Sequence, residues 1–99
     1  YSNFSDRDID LILAFPELRV LDVSNTSLTD QGVQQLAAIS QLVSLKLCFL
    51  SIKPETVRVF ATCEKLRELD LSGTGIDAET VSSLQRALPD CEIIWDFVE

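Results

Sequence analysis

The feature that most constrains this chain is a spacing of 24 residues. In the segment Leu66-Arg67-Glu68-Leu69-Asp70-Leu71-Ser72-Gly73-Thr74-Gly75-Ile76, leucines occupy the first, fourth and sixth places. The same places 24 residues earlier hold Leu42, Leu45 and Leu47, and one period before that Leu18, Leu21 and Val23. Each copy ends on an aliphatic residue, at Leu28, Ile52 and Ile76, and the shared pattern is L-x-x-L-x-L-x-x-T-x-L/I. The intervening segments keep the period: Val33, Val57 and Val81 share one phase, and Leu36, Phe60 and Leu84 another. A unit of this size holds one short strand and one short helix, and neither can bury its apolar face alone. The units must therefore stack and share a continuous core.

Inside each unit the apolar periodicity changes from strand-like to helix-like. Predicted strands run from Leu18 to Ser24, Leu42 to Cys48, Leu66 to Ser72 and Glu92 to Phe97, with Ile93 and Trp95 in the places of Leu69 and Leu71. Predicted helices run from Asp6 to Ala14, Asp30 to Ile39, Pro54 to Thr62 and Ala78 to Leu88. Ser5 with Asp8 has capping-box spacing, Thr29 and Asp77 are candidate N-caps, and Pro54 suits a first helical position. Pro16 and Pro89 stop the helices before them. Gly32 is a cost inside its helix. Phe4, Ile9, Ile12 and Phe15 align with Leu28, Val33, Leu36 and Ile39, so the first unit has a turn and a helix without a strand. The expected organisation is one domain, residues 1–99: a half repeat at 1–17, repeats at 18–41, 42–65 and 66–89, and a capping strand at 90–99. Trp95 is the large ring expected to cover the end of the core.

The pattern and its period resemble the leucine-rich repeat. Thr29-Asp30-x-Gly32-Val33-x-x-Leu36 and Cys63-x-x-Leu66-x-x-Leu69-x-Leu71 resemble the cysteine-containing and ribonuclease-inhibitor-like subtypes, with Ile39 and Ala87 replacing the cysteine elsewhere. The resemblance implies an α/β fold: a right-handed solenoid, or short horseshoe, with parallel strands on the concave face and helices on the convex face. It also implies a protein–protein interaction module. In many such repeats a turn asparagine hydrogen-bonds backbone groups between neighbouring units. Thr26 and Thr74 hold that place here, whereas Leu50 cannot make the bond, so a gap in the ladder is expected there.

Sixteen acidic against eight basic residues, with no histidine, give a formal charge of −8. Nucleic acid requires clustered Lys and Arg, so it is not an expected partner; a protein with a basic patch is. No apolar run approaches the roughly 18 residues of a membrane span, and Asp10 interrupts the best candidate. A signal peptide's basic and hydrophobic regions are not seen. Cys48, Cys63 and Cys91 cannot all pair with one another. Their phases also separate them: Cys63 toward the core with Ile39 and Ala87, Cys48 outward on a strand, and Cys91 at the start of the last strand. Three reduced thiols fit an intracellular, cytoplasmic setting.

Chemistry finds little to use. There is no histidine base, Ser72-Gly73-Thr74-Gly75 lacks the lysine and spacing of a phosphate loop, and Cys48 has only Lys46 nearby to activate it. No Cys-x-x-Cys or His pair supports zinc, and Asp22, Asp70 and Asp96 match no cation-binding loop. No enzyme activity, metal or cofactor is expected. The strand face offers more, because residues beside the buried leucines point outward. Across the strands they form three rows: Val20, Ser44, Glu68, Glu92; Asp22, Lys46, Asp70, Ile94; and Ser24, Cys48, Ser72, Asp96. Five carboxylates against one amine make this face acidic. At its border Phe49 replaces the Asn25 and Gly73 of the other strand exits, in phase with Tyr1 and Phe97. Either it is exposed for a partner, or it folds inward with Leu50 to fill the turn. The expected contact residues are Phe49, Asp22, Lys46, Glu68, Asp70, Glu92 and Asp96. The alternative function is structural: a terminal segment of a longer repeat protein, or a subunit of an assembly. Leu11 and Leu13 favour it, because they align with Gln35 and Ala37 outside the core stripe.

Overall fold

In the computed structural model, which describes residues 4–95, the 24-residue spacing becomes a sheet register. Strands β1 (Val20–Asp22), β2 (Ser44–Lys46), β3 (Glu68–Asp70) and β4 (Glu92–Ile94) lie parallel and in chain order. Leu21 pairs with Leu45, Leu45 with Leu69, and Leu69 with Ile93. Parallel neighbours require a crossover, supplied by α2 (Asp30–Gln35), α3 (Pro54–Arg58) and α4 (Ala78–Ala87), while α1 (Ile9–Leu13) precedes β1. The fold is an α/β solenoid of stacked strand–helix units. Its regular strands are shorter than the runs expected from sequence, because the chain bends early into each turn. Inter-repeat bonding nevertheless continues past them: Val23 N–H donates to the Lys46 carbonyl (3.1 Å) and Asn25 N–H to that of Cys48 (2.9 Å).

Leu45 and Leu69 are fully buried, together with Val33, Leu36, Val57 and Phe60. Leu21 and Ile93, at the two ends of the same column, are half-buried, each having a neighbouring strand on one side only among the described residues. Trp95 is also half-buried and packs against the core. Phe15 departs from expectation. It follows α1 and is 64% exposed rather than in the core stripe, since no strand lies in front of β1 among the described residues for it to pack on.

The helices also finish differently. α2 and α3 pass into 3-10 turns at Leu36–Ala38 and Val59–Thr62, whereas α4 stays α-helical to Ala87. A 3-10 turn rises about 2.0 Å per residue against 1.5 Å for an α-helix, so α4 needs one more residue to reach the same place. Leu88, whose N–H reaches the Leu84 carbonyl (2.8 Å), therefore occupies the core position of Ile39 and Cys63. Ala87, aligned there by sequence, is exposed.

Helix starts are joined across repeats. The Thr29 side chain does not cap its own helix. Instead the Asp6 carboxylate of the preceding unit accepts both the Thr29 N–H (2.9 Å) and its hydroxyl. A Cβ at position 32 would collide with that carboxylate, so Gly32 offsets its helical cost by admitting Asp6. Asp30 repeats the device one unit later, accepting from Lys53 N–H (2.7 Å) and Thr56 Oγ1 (2.7 Å). Pro54 then occupies the aspartate's place. Asp77 caps its own helix through Thr80 N–H (2.9 Å), and the Thr80 hydroxyl, which corresponds to that of Thr56, is buried and has no cross-repeat aspartate like Asp30 among the described residues. At the first turn, Ser5 N–H donates to the Asp8 carboxylate (3.0 Å), as its spacing suggests.

Candidate functional site

The strand register places Val20, Ser44, Glu68 and Glu92 in one row and Asp22, Lys46, Asp70 and Ile94 in the next. Four carboxylates and one ammonium thus share two rows of the sheet face that points away from the leucine column. Asp96 of the third row lies outside the described residues, as do Tyr1 and Phe97, which share the phase of Phe49.

These acids are held in place by local hydrogen bonds. Asp22 accepts from Ser24 N–H (3.0 Å). That bond, then the Ser24 hydroxyl and the charge of Lys46, hold its carboxyl below the usual range against the opposing charge of Asp70. Burial pushes the Asp70 carboxyl up, but the Ser72 hydroxyl and N–H (3.0 Å), the Cys48 thiol and Lys46 outweigh it and keep the group low. Both are therefore ionised at neutral pH, with Lys46 between them. In the neighbouring row Glu68 Oε1 accepts from the Ser44 hydroxyl (2.7 Å).

The cysteine on this face is a reduced thiol among the outward rows, but not a fully open one. Cys48 is half-buried. Burial raises its pKa, and the nearby Asp70 and Asp22 add to that rise, so Lys46 does not yield an activated nucleophile. Cys63 and Cys91 are buried, which pushes both thiols up. Among the described residues, no group of three or more His, Cys, Asp or Glu is placed to hold a metal ion, and no helix is long and apolar enough to cross a membrane.

The strand exits hold the unusual geometry. Asn25, Phe49 and Gly73 occupy one repeat position and share left-handed backbone, with φ of 58°, 65° and 74°. Glycine adopts this region freely and asparagine tolerates it, whereas a bulky side chain there costs about 1–2 kcal/mol. Sequence reading missed this strain, although the pairing of Asn25 with Gly73 at one repeat position was its signal. Phe49 is nevertheless 67% exposed. One edge of its ring lies over Gly73, where a Cβ would collide with Cδ1 and Cε1. The inward alternative thus holds for Leu50, which is 2% exposed and part of the core, and fails for Phe49.

No gap opens in the ladder at Leu50. Thr26 and Thr74 donate to carbonyls of their own turns, Val23 (2.8 Å) and Leu71 (2.6 Å), so the inter-repeat bonds never depended on them. In the middle turn Phe49 N–H still reaches the Ser72 carbonyl of the next unit (2.9 Å).

Two stretches, residues 16–37 and 62–84, match a family model described as Leucine Rich repeat. They take in β1 and β3 with the turns that follow, the whole of α2 and most of α4. No curated protein matches the chain.

Proposed function

We propose that this chain, whose units are leucine-rich repeats, is a non-catalytic protein-binding module. Repeats of this kind commonly mediate protein–protein interaction. Its contact surface is the acidic strand face, with Asp22, Lys46, Glu68, Asp70, Glu92 and Asp96, together with the turn that carries Phe49. The observation that carries this reading is Phe49: a strained, two-thirds exposed aromatic beside ionised carboxylates. Hot spots are enriched in aromatic anchors, and a field of one sign steers a partner of the other. The partner is a protein with a basic patch.

Affinity capture with wild-type, Phe49→Ala and Asp70→Lys baits tests it. Proteins retained by the wild type should be lost or weakened on both variants, and more readily removed by salt. A partner retained equally by all three baits places the contact elsewhere.

A second reading rests on a separate observation. Leu11, Phe15 and Val20 are 66%, 64% and 67% exposed, all on the β1 side of the stack. Such a run of open apolar side chains supports the chain as a segment of a longer repeat array or a subunit of an assembly. Sedimentation of this chain beside the full-length gene product distinguishes the two. Self-association abolished by Phe15→Glu supports the assembly, and a monomer at all concentrations removes that form of the reading.

A further inference from the structure

We propose that Phe49 and Asp70 form a receptor for arginine, so that the partner's anchor is a guanidinium stacked on the Phe49 ring. This deepens the acidic-face reading above and rests on it. Three observations support the pairing. One edge of the ring lies against Gly73, whose missing Cβ leaves it room, while two-thirds of the residue stays open. The charge is close by through one residue: Ser72 N–H donates to the Asp70 carboxylate (3.0 Å), and the Ser72 carbonyl accepts from Phe49 N–H (2.9 Å). Lys46 and Asp22 complete the row, and Lys46 offsets only one of the two flanking carboxylates.

An aromatic face beside a carboxylate discriminates between cations. Guanidinium is planar and weakly hydrated, stacks on a ring and still directs N–H groups at a carboxylate in its plane. Ammonium is compact and strongly hydrated, and it interacts with the acids as a point charge. A surface offering acids alone would take either cation, whereas a ring and an acid together favour arginine.

The experiment titrates the isotope-labelled chain with hexa-arginine and hexa-lysine peptides and records protein amide shifts, peptide Hδ shifts and affinity. Phe49→Leu keeps an apolar side chain without a π face, and Phe49→Asn fits the left-handed backbone, so both variants should remain folded, as melting will verify. We expect hexa-arginine to bind about tenfold more tightly than hexa-lysine, toward the upper end of the range for a cation on an aromatic face. The arginine Hδ protons should move upfield in the ring current, and both effects should vanish in either variant. Asp70→Asn should weaken both peptides while sparing the upfield shift at saturation. Equal affinity for the two peptides, with shifts confined to the acidic rows, overturns the arginine receptor and leaves the acidic-face reading standing. Absence of amide shifts for both peptides at low salt overturns both.

Discussion

The strand exits of the outer repeats and of the middle repeat have one backbone and opposite chemistry. Asn25-Thr26 and Gly73-Thr74 supply what the turn requires: a residue at ease in left-handed conformation, then a hydroxyl that closes onto a carbonyl three residues back. Phe49-Leu50 supplies neither. Leu50 compensates within the fold, exchanging the turn hydrogen bond for burial in the core. Phe49 does not, since it accepts backbone strain and remains in solvent. The difference separates a substitution explained by packing from one that stability does not explain, and the second kind points to a contact.

The largest test of that contrast is at Leu50. If it is a core residue, Leu50→Ala costs about 2–5 kcal/mol, comparable with Leu45→Ala and larger than Leu21→Ala at the half-buried end of the column. Urea unfolding measures all three, and a Leu50→Ala midpoint equal to wild type removes the packing explanation. Gly73→Ala comes next, at about 1–3 kcal/mol, because it adds a Cβ at positive φ and against the Phe49 ring. Part of this loss should be recovered when Phe49→Ala is also present, a coupling that a double-mutant cycle reads directly. Thr74→Val should cost about 0.5–1.5 kcal/mol for the turn hydrogen bond. The same bond cannot be lost at position 50, so the construction of the two turns is compared without touching Phe49. Smallest, Phe49→Asn should raise stability by up to about 1 kcal/mol through relief of the left-handed phenylalanine.

Sequence periodicity foretold the register of all four strands because a leucine placed once per unit can be buried in only one phase. It likewise placed Val33, Val57 and Val81 in the core, along with Leu36, Phe60 and Leu84. Where a helix changes type the periodicity fails. Nothing local distinguishes α4 from α2 and α3 strongly enough to show that it skips the 3-10 turn, so Ala87 and Leu88 exchange roles. It also fails where a partner lies one unit away. Thr29 reads as an N-cap, but its real partner is Asp6, identifiable only once the units are stacked. The acidic rows were legible as soon as strands alternate. The exposure of Phe49 was one of two open readings, decided by the Gly73 backbone on which its ring rests.

The central claim, that Phe49 serves a contact rather than the fold, is tested most directly by Phe49→Asn, with the melting temperature and the affinity for the hexa-arginine peptide measured on the same sample. The expected result is a melting temperature equal to or above wild type, with affinity lowered by about 1–2 kcal/mol. A melting temperature several degrees lower with unchanged affinity would contradict it, making Phe49 a structural residue and moving the binding surface elsewhere.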